Sequence, residues 1–396
     1  MSELSRRNFL RMAATSSAVL AMPIFSEAHL AAAAMPKAAS AIAGQPIYID
    51  ANENPLGPSG TARQSIVDMA PHGGRYDQEL TARLVKTFSA MNDVPPEYVR
   101  AFSGSSAALQ YSVLAYTSPA KSYVTADPSY EAGMRAALVS KARIVKVPLT
   151  ADYAHDIPAM LRQGPDAGLF YVCNPNNPTG TLTPHDQIEY LVARKPAGSL
   201  VMVDEAYYHF TDMPTSLNMA KAGKDIIVLR TFSKIYGMAG LRCGFAVARP
   251  EILTKLYGEQ GWNPLSTPGV AAAIASLRDS SLVPERRKIN TGVRSNVFEW
   301  LQKQNYPYIP SQANFFLLDT QRDGKAVMAA MAAKGVYIGR TWPIWPSRVR
   351  ITVGTQPEMD RFQLAYRQVM QTSESAMLEN MPAGFHQPDW RHGFVS

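Results

Sequence analysis

Between about Thr81 and Ala248, short apolar runs rich in β-branched residues alternate with stretches of helical period. The runs are Ser122–Thr125, Ile144–Pro148, Leu169–Cys173, Leu200–Val203, Ile226–Leu229 and Cys243–Ala248. Between them lie Ser106–Tyr116, Tyr130–Leu138, His185–Ala193 and Ser216–Ala222, where apolar residues recur at helical spacing. Strands that are apolar throughout need cover on both faces, and helices between them supply it. The pattern predicts an α/β protein with a doubly wound, mostly parallel sheet. Beyond Pro250 the texture changes. A long helical region from about Pro268 to Gln304, broken near Pro284, precedes strand-like Asn314–Leu318 and Arg348–Val353, with a helix over Lys325–Lys334. That order predicts a smaller α+β lobe.

A chain of 396 residues has room for both units. With 39 Lys+Arg against 32 Asp+Glu the net charge is +7, spread without a basic block, which gives no nucleic-acid footprint. The N-terminus is more informative. Ser5-Arg6-Arg7-Asn8-Phe9-Leu10-Arg11 precedes a polar-diluted apolar run, Met12 to Met22, and small residues through Ala34. It resembles a twin-arginine export signal, implying recognition by that export machinery and a periplasmic destination. The run is too short and polar to span a bilayer. Cys173 and Cys243 each sit in an apolar segment and are expected as buried thiols. Without an HExxH motif or a Cys/His cluster, no metal site is expected.

Three clusters follow predicted strands. Thr231-Phe232-Ser233-Lys234 continues to Gly237, Gly240 and Arg242. A lone lysine is ordinarily a solvated side chain. Here hydroxyls, tight turns and a planar guanidinium surround it at the carboxyl edge of a parallel sheet, where such sheets build ligand crevices. An amine beside phosphate-binding groups is what an aldehyde cofactor carrying a phosphate requires. Val201-Met202-Val203 delivers Asp204 to a strand end, although alone Asp204 would read as a helix cap or turn residue. Asn174-Pro175-Asn176-Asn177-Pro178-Thr179-Gly180 is a loop, and alone it would be turn chemistry.

Together, NPNNPTG at 174–180, DEAY at 204–207, SK at 233–234 with Arg242, and RITVG at 350–354 resemble the fold-type I pyridoxal-phosphate aminotransferases. NENPLGP at 52–58, Arg75-Tyr76 and AGLRCGF at 239–245 are most similar to the histidinol-phosphate aminotransferase branch. The resemblance runs from Ile47 to about Gln371. It implies a pyridoxal 5'-phosphate cofactor and transfer of an amino group between an amino acid, or a related amine, and a 2-oxo acid. Lys234 matches the lysine that joins the cofactor aldehyde and then moves the α-proton. Asp204 matches the partner of the ring nitrogen, and Asn177 and Tyr207 match groups on the ring 3′-oxygen. Tyr130 is similar in position to the aromatic that stacks on the ring. Gly104, Ser105, Ser106, Thr231, Ser233 and Arg242 would hold the phosphate, with Tyr76 reaching it from the partner subunit of a homodimer. Arg350 matches the clamp for the substrate carboxylate, and Asn314 and Asn54 match positions bordering the substrate.

The resemblance divides the chain into a signal peptide at 1–34, a linker at 35–46, and an N-terminal arm with part of the small domain at 47–75. A large cofactor-binding domain at 76–265, a small domain at 266–372 and a loosely ordered tail at 373–396 complete it. Two departures stand out. Gly104-Ser105-Ser106-Ala107 lacks the acidic residues often found there in the family. Gly339-Arg340-Thr341-Trp342-Pro343-Ile344-Trp345-Pro346 is either a stiff core-facing loop or part of substrate recognition, with Arg340 either holding a distal anion or standing as a solvated rim charge. Export argues against a housekeeping role in histidine biosynthesis. Oxidation, decarboxylation or elimination on the same cofactor, and a non-catalytic ligand-binding module, are the alternatives.

Overall fold

The computed structural model describes residues 45–261, 264–373 and 377, so the export-signal segment and most of the tail lie outside the described residues. Twelve strands are described: β1 (Ile47–Ile49), β2 (Val99–Phe102), β3 (Ser122–Asp127), β4 (Ile144–Pro148), β5 (Ala167–Cys173), β6 (Leu200–Asp204), β7 (Ile226–Thr231), β8 (Gly244–Val247), β9 (Tyr308–Ile309), β10 (Phe315–Asp319), β11 (Val336–Ile338) and β12 (Arg348–Thr352). β2 to β8 form one seven-stranded sheet in the order β2-β8-β7-β6-β5-β3-β4. Its strands run parallel except β8, which pairs antiparallel with both β7 and β2.

Every residue of β5, β6 and β7 is buried, as the unbroken apolar runs require. Alternate side chains enter two separate cores, one on each face. Phe170, Val172, Val201, Val203 and Val228 join one, while Leu169, Tyr171, Met202, Ile227 and Leu229 join the other. This period of two puts a helical layer on each side of the sheet. Cys173 and Cys243 are buried free thiols, and burial pushes the Cys243 thiol up to about 12.

The second unit is built from β10 paired antiparallel with β12 and β9, and from β1 paired parallel with β11. Helices Leu282–Lys303, Gly324–Ala332 and Gln356–Gln371 pack on it through a third core that includes Val297, Phe316, Ile351 and Phe362. The expected break near Pro284 falls earlier. One helix ends at Arg278 and the next begins at Leu282, so Pro284 sits in a first turn, where no intrahelical N–H is missed.

After β1 the chain leaves the small sheet and crosses to the large one as Asp50–Gly57. The Arg286 guanidinium fixes that crossing by donating to Gly57 O at 2.5 Å and to Ile235 O at 2.9 Å.

Candidate active site

The parallel sheet brings distant segments to one edge. Asp204 ends β6 directly beside Cys173, the end of β5, and opposite Leu229 of β7. Because β8 is reversed, its beginning rather than its end lies at this edge, with Gly244 paired to both Thr231 and Phe102. The strand ends therefore converge on a cavity of about 310 Å³. Ser105, Ser106, Tyr130, Asn177, Asp204, Tyr207, Thr231, Ser233, Lys234 and Arg242 line it, joined by Ala51, Glu53, Ala206, Ala239 and Gly240.

Lys234 answers the question of solvated charge against buried amine: it is only 7% exposed. Its Nζ donates to Asn52 O at 3.0 Å and Ala51 O at 3.3 Å, and lies 5.5 Å from the centre of the Tyr207 ring. Asn52 has a left-handed backbone, φ 53, which asparagine tolerates. Its Nδ2 donates to Tyr207 Oη at 3.0 Å, while its own N–H donates to Thr352 Oγ1 at 2.9 Å. The crossing segment thus ties the small sheet to the lysine.

Asp204 is buried at the cavity floor. Its Oδ2 accepts from Tyr171 Oη at 3.0 Å and its Oδ1 from Ala206 N at 3.1 Å. Burial outweighs these bonds and the nearby Lys234 charge, pushing the carboxyl up to about 6. A carboxylate held in that condition suits a cationic partner. Glu205, next in sequence, turns the other way. Burial with Arg230, Oε2 to Nη2 at 2.7 Å, makes it part of the framework beneath the site.

At the other end of the cavity, Arg242 Nη1 donates to Ala239 O at 2.9 Å and Ser233 Oγ at 3.3 Å, and Thr231 Oγ1 donates to Ser233 Oγ at 3.0 Å. The helix Ser105–Tyr116 starts there, so its first-turn amides face the same space. Two glycines allow this crowding. A Cβ on Gly104, whose φ is +81, would lie 2.2 Å from Arg242 Nη2, and one on Gly244 would lie 2.5 Å from Ser105 N. Hydroxyls, a guanidinium and a helix N-terminus make an anion cradle. With Lys234 and Asp204 opposite, the donor set fits pyridoxal phosphate.

A comparison with known families gives the same answer. Residues 72–363 match the family model described as aminotransferase class I and II. This chain belongs to that family. The aminotransferase is 34% identical over 331 residues to a histidinol-phosphate aminotransferase of Moorella thermoacetica, covering 82% of this chain and 85% of the relative. It is 36% identical over 318 residues to an aromatic amino acid aminotransferase of Rhodococcus jostii, covering 80% and 88%. The solved histidinol-phosphate aminotransferase of Sinorhizobium meliloti, in complex with pyridoxal-5'-phosphate, shares the fold at a TM-score of 0.74 and 24% identity, over 89% of this chain and 96% of that one. The protein is a pyridoxal-phosphate-dependent transaminase of fold type I.

Several sequence-predicted residues stand outside the lining. Arg350 is fully buried, donating to Asn177 Oδ1 at 2.9 Å and Asp50 O at 2.6 Å. Asn314 Nδ2 braces the crossing segment through Asn52 O and Glu53 O, both at 3.2 Å. Asn54 Nδ2 donates to Ile235 O at 3.0 Å, a long-range tie beside Lys234, and its Oδ1 accepts from Leu56 N in a local turn; Asn54 is not a cavity wall. Tyr76 is 73% exposed and borders a different cavity. The solvated-rim reading of Arg340 is overturned: it is buried against Glu131. Sequence reasoning missed Asn52 and Tyr171, whose roles depend on partners 155 and 33 positions away. Asn52 at the head of NENPLGP was the available signal.

Proposed function

We propose that the cavity carries transamination with Lys234 as the proton-moving amine, supported above all by its burial between Asp204 and Tyr207 in a cavity that ends in an anion cradle. When bound, pyridoxal phosphate supplies an aldehyde that condenses with amines and a ring that accepts the electron pair left at the substrate α-carbon. The protein's own groups do the rest. Asp204 would keep a proton on the ring nitrogen, and Tyr130 would cover the ring face. Arg350 holds Asn177 by its Oδ1, which would direct the amide N–H to the ring oxygen. Asn52 donates to Tyr207 Oη, so the hydroxyl would present its hydrogen to that oxygen. Arg350, buried behind Asn177, would take the substrate carboxylate and thereby direct the α-proton toward Lys234. The Lys234 Nζ would be the base that takes that proton and the acid that gives it back.

The relatives named for histidinol phosphate and for aromatic amino acids bracket the donor: an amino acid or amine with a ring-bearing side chain, exchanged with a 2-oxo acid by ping-pong kinetics. Borohydride reduction followed by peptide mapping checks the site. The adduct is expected on Lys234, and Lys234→Ala is expected to lose about 10²- to 10⁴-fold in turnover while keeping bound cofactor. Undiminished turnover in that variant would end the proposal.

The same reading takes the Arg6-Arg7 segment as a twin-arginine signal that delivers a folded, cofactor-loaded enzyme to the periplasm. Changing both arginines to lysine is expected to keep the enzyme in the cytoplasmic fraction; continued appearance in the periplasm would remove the export assignment. A homodimer, with Tyr76 reaching the partner's phosphate cradle, is supported by the exposure of that aromatic ring.

A further inference from the structure

Four charged side chains line the cavity, Glu53, Asp204, Lys234 and Arg242, and the transamination reading employs three of them. Asp204 sits at the floor on Tyr171, Lys234 holds its Nζ on Asn52 O, and Arg242 builds the anion cradle with Ser233. Glu53 is left over. Its backbone is pinned: its carbonyl accepts from Asn314 Nδ2 at 3.2 Å, and its neighbours Asn52 and Asn54 bond Lys234 Nζ and Ile235 O. Its side chain is not. Among the described residues the Glu53 carboxylate has no hydrogen bond and no ion pair. Asp204 and Lys234 are 3% and 7% exposed, whereas Glu53 is open to solvent, so it stands on the mouth side of the lysine.

We infer that Glu53 sets donor specificity at this mouth. Its carboxylate selects a donor whose side chain carries a positive charge, such as an imidazolium or an ammonium borne on a ring. It acts against a side chain that ends in a carboxylate or phosphate. The inference rests on the reading of Lys234 as the proton-moving amine for ring-bearing donors, and narrows the donor class. With cofactor bound, Arg242 faces its phosphate and Asp204 its ring nitrogen, which leaves Glu53 as the lining anion without a partner. A donor α-carbon within reach of Lys234 Nζ lies beside Asn52 O, one residue from Glu53. A side chain leaving that carbon for the open side therefore passes the carboxylate. A cation there gains an attraction and an anion meets repulsion, so discrimination comes from both. Because the position is solvated, the effect has the modest size of an exposed pair and is screened by salt.

The test uses the cofactor-loaded enzyme and three donors built on one ring: the para-aminomethyl, para-ethyl and para-carboxymethyl derivatives of L-phenylalanine. Their tails end in a cation, a neutral group and an anion. Single-turnover conversion of the cofactor absorbance at limiting donor ranks them. Wild type is expected to favour the cation about threefold over the neutral donor and about tenfold or more over the anion, with both gaps narrowing as salt rises. Glu53→Gln is expected to bring the three within about twofold, and Glu53→Lys to reverse the order. Each ranking is taken within one enzyme, so a general loss of activity cancels. A wild type that does not place the cation first overturns the inference, and so does a ranking that Glu53→Gln leaves unmoved. If the variants do not load cofactor, the wild type decides: a cation preference that closes with salt supports the role, and a salt-independent one overturns it. If L-phenylalanine itself fails to convert the cofactor, the ring-bearing reading falls and Glu53 falls with it. If L-phenylalanine converts while the ranking fails, only the role of Glu53 falls.

Discussion

At the scale of single residues, the site spends stability on chemistry, and Asp204 shows how much. In the cofactor-free protein its carboxyl is raised from the ordinary 3.8 to about 6 by burial. Below about pH 4 both folded and unfolded chains hold the proton, and the group costs nothing. As pH rises through 6 the folded protein must carry a buried anion, so stability from this group is lost on going from acid to neutral. Cofactor-free Asp204→Asn is therefore expected to be more stable than wild type at pH 8, by up to ~3 kcal/mol, with the advantage gone near pH 4. Thermal denaturation at both pH values checks this, and a less stable variant at pH 8 would refute it. The same variant should lose most turnover, because an amide does not hold a proton on the ring nitrogen. Asp204, Lys234 and Asn177 were legible from sequence because each belongs to a motif at or just after a strand end. Tyr171 was not: inside an apolar strand its hydroxyl looks like core, and only the register of β5 against β6 aims it at Asp204.

At the scale of elements, the anion cradle depends on how closely a strand end, a helix start and an arginine approach. Arg242 itself has a left-handed backbone, φ 51, and Gly104 at φ +81 clears the space its guanidinium fills. Gly104→Ala is expected to displace that guanidinium and to weaken cofactor binding by about tenfold or more, with a stability loss of about 1 kcal/mol from the strained backbone. Fluorescence titration of the cofactor-free variant measures the first, and an unchanged affinity would show that the close approach is dispensable. Six of the seven strands of the large sheet were readable within a few residues because strands apolar on both faces leave little ambiguity, whereas the edge-side strand β2 (Val99–Phe102) was not anticipated. The short strands β1, β9 and β11 were not. Two or three residues carry no period, and each exists because a partner strand satisfies its backbone.

At the scale of the whole molecule, the small unit acts on the large one through the crossing at Asp50–Gly57 and through Arg340–Glu131, and neither contact is local in sequence. The proposed homodimer belongs to this scale. Sedimentation is expected to give about twice the chain mass, and a monomer that turns over normally would remove Tyr76 from any shared site. The sequence by itself determined the fold class, the cofactor and the motif residues. Periodicity dictates how each segment buries its apolar side chains, and a strand end delivers whatever residue follows it. Only the tertiary structure decided that Asn52 holds Tyr207 and Lys234, that Tyr171 holds Asp204, and that Arg340 is neutralised rather than open. Charge and hydrogen-bond capacity are settled by the nearest partner in space, and that partner is fixed only when the two units of the fold close on each other.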